Sequence, residues 1–229
     1  MYMLNNDDHI EVTLRDTSPL LTIGVVADTH LPDHIRTLPA GLLSGLRAAG
    51  VNAILHAGDI TTQGVLDSLA QIAPVSAVMG NRDLLIYPLL PMTRTFEFAG
   101  VTVGLAHGHI GWISYMVGKV QQIFLGYSFE RYRRRLLPVF PNASVIIFGH
   151  THIPENRREN GVLFFNPGGV CPCPQNDFIP RFGLLRFYEG GGVVGEIISL
   201  PNLTAIGVKA DWCRKSPGGV DNRNAARTN

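Results

Sequence analysis

The stretch Phe148-Gly149-His150-Thr151-His152-Ile153-Pro154 follows a short apolar run, Ser144 to Phe148, rich in valine and isoleucine. A run this short, bounded by turn residues, reads as a buried β-strand. Gly149 permits a sharp turn where the strand ends, and Pro154 keeps a helix from starting there. The loop so made can aim two imidazoles at one point. A His-x-His pair alone is a weak signal for metal binding, so its meaning depends on what else reaches the same place.

Working outward, Leu21 to Ala27 is a continuous apolar run that ends at Asp28-Thr29-His30, the pattern of a strand covered on both faces. Pro39 to Ala49 has helical spacing, with Leu42, Leu43 and Leu46 on one side and Gly50 after it. Ala53 to His56 reads as a strand leading to Gly58-Asp59, Gly64 to Ile72 as a helix, and Val75 to Met79 as a strand leading to Gly80-Asn81-Arg82-Asp83. This alternation predicts right-handed crossovers and neighbouring parallel strands. Thr93 to Phe98 and Val101 to Ala106 then flank Ala99-Gly100 as a hairpin whose second strand ends at His107-Gly108-His109. A helical segment is expected up to about Pro138, before the strand that carries the opening motif. Asn160-Gly161 predicts a turn between Glu155-Arg158 and Val162-Phe165, followed by Asn166-Pro167-Gly168-Gly169. A last hairpin pairs Phe182 to Tyr188 with Val193 to Leu200.

Composition sets bounds on what such a chain can be. Of 229 residues, 45% are hydrophobic and 16% charged, which suits a sizeable core and excludes a disordered protein. A formal net charge of +1 gives no global basic field, so no stable nucleic-acid complex is expected. Cys171, Cys173 and Cys213 are odd in number and too sparse for a disulfide framework, which points to a reducing, cytoplasmic setting. Met1 to Asp8 lacks the basic and apolar segments of a signal peptide, and no apolar run approaches the length of a membrane span. The organisation expected is an N-terminal extension (1–20), one domain (21–200) with a helical insert at about 110–138, and a tail (201–229) in which Gly, Asn, Arg and Ser accumulate.

The strand ends carry the chemistry. Asp28 and His30 follow the first strand, Asp59 the second, Asn81 the third, His107 the hairpin, and His150 and His152 the strand after it. In open α/β sheets the carboxyl ends of strands face one crevice, where ligands bind. Five strand ends thus offer oxygen and imidazole donors to one place, and seven of the eight histidines lie on or near these loops. Singly each is unremarkable: Asp28 could cap a helix, Asn81 could form a turn, and His107 could be a satisfied loop side chain. As a set they define a metal site.

The same set, Asp-x-His, Gly-Asp, Gly-Asn, His and Gly-His-x-His in that order, resembles the calcineurin-like metallophosphoesterases over roughly residues 21 to 200. The short spacings and Asn166-Pro167-Gly168 are similar to its small prokaryotic phosphodiesterase branch, which also contains the retromer subunit of this fold. The resemblance implies an α/β fold of two sheets packed face to face and flanked by helices, a four-layer α/β/β/α sandwich. It also implies a dinuclear centre, with Asp28, His30 and His152 on one ion, Asn81, His107 and His150 on the other, and Asp59 bridging. Asp59, Asn81, His107 and Arg82 are the candidate catalytic residues.

A carboxylate has two oxygens and can bridge two cations, and paired ions roughly 3.5–4 Å apart can share a hydroxide for in-line attack on phosphorus. Coordination lowers the pKa of water by roughly nine units, about 12 kcal/mol, whereas a positioned general acid contributes about 3–5 kcal/mol. The metals therefore dominate the expected catalysis. With no thiolate among the ligands, two divalent transition ions are expected, Mn²⁺ first, with Fe²⁺, Zn²⁺, Ni²⁺ and Co²⁺ as alternatives.

Other residues invite plainer readings. His56 reads as a packed histidine rather than a ligand, His34 and His109 as substrate contacts or solvated loop residues, and Cys171-Pro172-Cys173 as incidental. The chain departs from the family pattern in three places. Arg82 stands where many relatives have a histidine that serves as candidate general acid. Gly169 occupies a position often taken by serine. The span from His107 to His150 is longer than in compact members. Within it Ile113, Met116, Val117, Val120, Ile123, Phe124 and Tyr127 follow helical spacing, while Trp112, Tyr115, Phe129 and Tyr132 add aromatics outside that stripe. Arg131, Arg133, Arg134 and Arg135 follow. Packing on the sheet would explain the stripe. The excess of aromatics with arginine predicts instead an arm that pairs with another subunit, with an anionic membrane surface as the second variant. The expected activity is metal-dependent hydrolysis of a small phosphoester, a phosphodiester first. The competing class is a non-catalytic scaffold of the same fold, which would be free to lose ligands; this chain has all seven.

Overall fold

Side-chain alternation along β1 (Leu21–Val26) sets the layering of the molecule. Ile23 and Val25 face inward and meet Val103, Leu105, Val145, Ile147, Leu163, Phe165, Leu185 and Phe187 in a core between two sheets. Val26 faces the other way and joins Leu42, Leu46, Ile54, Val65 and Leu69 beneath α1 (Ala40–Ala48) and α2 (Gln63–Ala70). The computed structural model describes residues 18–84, 87–109, 111 and 126–200.

The strands are β2 (Ala53–His56), β3 (Val75–Ala77), β4 (Thr93–Phe98), β5 (Val101–Ala106), β6 (Val145–Ile147), β7 (Glu155–Glu159), β8 (Val162–Asn166), β9 (Arg181–Phe187) and β10 (Val193–Ser199). The first sheet has the order β10-β9-β1-β2-β3 and the second β4-β5-β6-β8-β7. In each, three strands run parallel, β1-β2-β3 and β5-β6-β8, and antiparallel strands fill the remaining positions. The second sheet repeats the alternation. Val145 and Ile147 point to the shared core, while Ile146 and Phe148 point outward to a third core under α3 (Phe129–Leu136). The result is the expected four-layer α/β/β/α sandwich of two mixed sheets. Burying each of its large apolar side chains contributes about 1.5–3 kcal/mol. Among the described residues no helix is long and apolar enough to cross a membrane.

The 110–138 region divides. Residues 112–125, with most of the apolar stripe, lie outside the described residues, as do residues 1–17 of the expected extension and the tail from 201. The part that is described corrects the expectation for Phe129 and Tyr132. Both are buried, together with Leu136, because positions 129, 132 and 136 form α3's own apolar face. Phe129 meets Phe164 edge-on at 5.3 Å between ring centroids, and Tyr132 stacks on Phe148 at 5.8 Å. The neighbouring arginines are engaged within the chain. Arg133 and Arg134 pair with Glu130 at 2.7 and 2.6 Å, Arg131 donates to the Gly126 carbonyl, and Arg135 donates to the Gly108 carbonyl.

Candidate metal centre

At the carboxyl ends of β1, β2, β5 and β6, and just past β3, the loops turn back abruptly. Five of the expected ligands there have left-handed backbone: Asp28 (φ 53°), His30 (48°), Asp59 (55°), His150 (71°) and His152 (58°). Each such conformation costs about 1–3 kcal/mol and persists only where the surroundings enforce it. Here the enforcement is visible. Asp28 N–H donates to Gly58 O at 3.0 Å, and His30 N–H to Asp59 O at 3.1 Å, so the first two loops hold each other. Gly80 is pressed so closely on Asp59 that a Cβ would fall 2.1 Å from its backbone nitrogen, which excludes any other residue.

Asp83 braces the same region. Its carboxylate accepts N–H bonds from Ile60 and Thr61 at 2.9 Å each, and from Gly80 at 2.8 Å. Burial pushes its carboxyl above the ordinary value, while these donors pull it back. His56 is packed and hydrogen-bonded, as expected, and is no ligand. Its Nδ1 accepts from Gly58 N–H at 3.2 Å, so in the neutral ring Nε2 carries the proton toward Thr29 Oγ1 at 3.3 Å. Thr29 then donates to the carbonyls of Asp59 or Ile60, at 3.2 and 3.1 Å. Burial lowers the His56 pKa to about 3, and neighbouring His107 adds to that.

The seven expected ligands converge. His30 Nε2 lies 3.3 Å from His152 Nε2 and 3.5 Å from Asp59 Oδ2. Across the cleft, His107 Nε2 lies 3.4 Å from the same Asp59 oxygen and 3.2 Å from Asn81 Oδ1. His150 Nδ1 lies 2.9 Å from Asn81 Oδ1 and 3.3 Å from His107 Nε2. Asp28 Oδ1 is 3.7 Å from His152 Nε2 and 3.9 Å from His107 Nε2, while His150 N–H donates to its carboxylate. Asp59 divides its oxygens: Oδ1 accepts the Arg82 backbone N–H at 2.8 Å, and Oδ2 faces both halves.

This donor set fits cations. His107 Nδ1 lies 2.6 Å from the Ala57 carbonyl oxygen, which can only accept, so Nδ1 holds the proton and the neutral ring turns its Nε2 lone pair inward. That lone pair meets Asn81 Oδ1 and Asp59 Oδ2, which are acceptors too, and facing acceptors repel unless a proton or a cation lies between them. The titration behaviour reflects this. Burial opposes charge on His107, yet the Asp59 and Asp28 carboxylates raise its pKa to about 9. Burial likewise opposes charge on His152, and Asp28, Cys173 and Asp59 raise it to about 9. Burial also works against the Asp59 carboxylate, but His107 and His30 hold it well below the usual range. Burial raises Asp28 and lowers His30 and His150. Asp28, His30 and His152 form one cluster able to hold a metal ion, and Asp28, Asp59 and His107 another.

Several neighbours differ from the sequence reading. His34 and His109 are not solvated loop residues: both are buried, with rings 4.9 Å from His30 and 5.4 Å from His107. Cys173 is not incidental, being buried and close enough to His152 to help raise its pKa. A Cβ at Gly169 would fall 2.4 Å from His152 Nδ1, so glycine lets this loop sit against that ring. Asn166 donates to Gly149 O and Thr151 Oγ1, both at 3.0 Å, and so holds the His-x-His loop. Sequence reasoning missed the bracing by Asp83, the Arg135 bond to Gly108 O and the Tyr132 ring beside His150. The position of Asp83 two residues after Asn81 was its available signal. The other two gave none.

A two-sheet sandwich with histidines and carboxylates converging at its strand ends defines a metal-dependent phosphoesterase fold. Residues 21–187 match the calcineurin-like phosphoesterase superfamily domain, and the chain belongs to that superfamily. A probable metallophosphoesterase of Methanothermobacter thermautotrophicus is 36% identical over 178 residues, 78% of this chain and 92% of that protein. A Thermotoga maritima protein solved in solution is 27% identical with a TM-score of 0.55, covering 79% of this chain and 100% of its own. Vps29 of Entamoeba histolytica, solved in complex with Zn²⁺, shares the fold at a TM-score of 0.57 and 24% identity, over 78% of this chain and 99% of its own. Membership in the superfamily, with these two clusters, implies divalent metal binding.

Proposed function

We propose that the protein is a dinuclear metal-dependent phosphodiesterase. Asp28, His30 and His152 would hold one divalent ion and Asn81, His107 and His150 the other, with Asp59 serving both. The observation that carries this reading is Asp59 Oδ2, placed 3.5 Å from His30 Nε2 and 3.4 Å from His107 Nε2. Bound there, the ions would supply Lewis acidity and acidify water near neutral pH. Mixed imidazole and oxygen ligands suit several divalent transition ions; Mn²⁺ is our first choice, and the zinc complex of the Entamoeba histolytica relative supports Zn²⁺ as the alternative.

The protein's own groups do the rest. Ala57 O holds the His107 proton at Nδ1, and the Arg82 backbone N–H fixes Asp59 through Oδ1. The Arg82 side chain is exposed at the rim, and its charge helps depress both His30 and His34, so it reaches the cleft. There it can fork onto non-bridging phosphate oxygens and stabilise developing negative charge. Arginine stays protonated and cannot donate a proton to a leaving alkoxide. Diesters with acidic leaving groups are therefore the favoured substrates, and simple alkyl diesters the poor ones. The catalytic domain spans about 21–200, and Cys171 and Cys173, buried and outside any disulfide among the described residues, suit a cytoplasmic setting.

The test is metal content and turnover measured together on the purified chain. Saturation with Mn²⁺ is expected to give two ions per chain and hydrolysis of bis(p-nitrophenyl) phosphate, with cyclic nucleotides and dinucleotides screened beside it. Asp59→Asn is expected to weaken both ions and to remove nearly all activity. At most one ion in the wild type refutes the dinuclear reading. Two ions with no turnover of any ester favours the partner-binding scaffold.

A further inference from the structure

We infer that Tyr132 and Arg135 of α3 are positioning residues for the His107–His150 half of the centre, and that they set how firmly the second ion is held. The inference rests on the two-ion reading and concerns residues that reading leaves unused. Tyr132 and Arg135 are three apart and so share a helix face. Arg135 is half-buried, and its Nη1 donates to the carbonyl oxygen of Gly108 at 2.9 Å. Gly108 has φ +103°, and it follows His107 directly. The Arg135 guanidinium lies 5.5 Å from the centroid of the Tyr132 ring, so the two side chains steady each other.

Tyr132 closes the arrangement from the other side. Its ring carbons lie 3.5 and 3.6 Å from where a Cβ on Gly108 would sit, and Gly149 O lies 3.7 Å from the same point. The ring also stacks on Phe148 at 18° between planes and sits 6.4 Å from the His150 ring. One helix face therefore touches two of the loops that carry second-ion ligands, those of His107 and His150, at Gly108 and at Phe148. Leu136 and Phe129 anchor that face in the core. Without Arg135 the Gly108 carbonyl loses this donor, and glycine, having no Cβ, offers little resistance to a shifted backbone. Supporting residues of this kind hold ligands to within about 0.5 Å, and losing one typically costs about 10–100-fold in metal affinity.

The experiment is Mn²⁺ binding by titration calorimetry, with electron paramagnetic resonance of the loaded protein, on the full-length wild type and on variants R135A, R135K, Y132L and R133A. R135A is expected to keep the first ion at wild-type affinity and bind the second about 10–100-fold more weakly. Its spectrum at limiting Mn²⁺ should change from that of a coupled pair to that of single ions. R135K should recover part of the loss, because lysine can donate to the same carbonyl. Y132L should resemble R135A. R133A, altered on the side facing Glu130, should match the wild type. A folded R135A with both affinities and the coupled spectrum intact overturns the inference, as does equal weakening of both ions. A wild type that holds at most one ion overturns the two-ion reading and this inference together.

Discussion

The loops of the first sheet hold one another, whereas those of the second are held from outside. Asp28, His30, Asp59 and Gly80 are joined by backbone hydrogen bonds, by the three N–H bonds into Asp83, and by the His56–Thr29 chain, all within three adjacent strand ends. The His107 and His150 loops depend on other elements: Arg135 and Tyr132 from α3, Asn166 from the end of β8, and the Ala57 carbonyl across the cleft. Damage in the first half should reach fold and site together. Damage in the second should reach the site alone.

The largest test of that contrast is Asp83→Ala. Three buried N–H groups lose their acceptor at about 1–3 kcal/mol each, and with water reaching part of the gap a loss toward the low end of that sum, about 3–5 kcal/mol, is expected in chemical denaturation. A loss below about 1 kcal/mol would remove the distinction between the halves. Arg82→Ala should separate rim from frame. Removing a charge-assisted contact worth about 1.5–3 kcal/mol should lower kcat/KM on activated diesters about 10–100-fold with unfolding unchanged. Unaltered kinetics would make Arg82 a solvent-facing side chain.

A test by pH sharpens the first half, with an effect spread over several pH units and small at any one of them. His56 has a folded pKa of about 3 against an ordinary 6.5, so the unfolded chain takes up the proton first as pH falls. Its contribution is complete above about pH 6.5 and is lost on descending toward about pH 3. His56→Gln should therefore flatten the fall in stability across that window, by up to about 1.4 kcal/mol per pH unit, in denaturation curves measured between pH 4 and 7. An unchanged slope would show that His56 takes up its proton without disturbing the chain of bonds to Thr29.

Much of this was legible in the sequence, and the reason is local. The hairpin at Ala99-Gly100 and the strand Ala53–His56 fall where apolar runs and turn residues placed them, because short strands bounded by glycine leave few alternatives. The seven donors were legible because each ends a strand, and parallel strands bring their ends to one rim. What was hidden depends on packing across distance. α3 continues a helical pattern in sequence, so Phe129 and Tyr132 looked like additions to the preceding stripe, although they form a separate face against Phe164 and Phe148. The roles of Arg135 and Gly169 could not be read at all, since each is set by one contact with a residue distant in the chain.

The five left-handed ligand positions at the strand ends have a consequence for how this protein can change. Four of them, Asp28, His30, His150 and His152, bear a side chain that also faces like-charged or acceptor groups, so backbone and side chain are both unfavourable at one position. Glycine at any of them would relax the backbone and remove the crowding in a single step. The centre is thus a standing trade-off between activity and stability. Random substitution under selection for heat resistance alone should erode these positions before any in the three apolar cores, and the full donor set would last only as long as something other than folding depends on it.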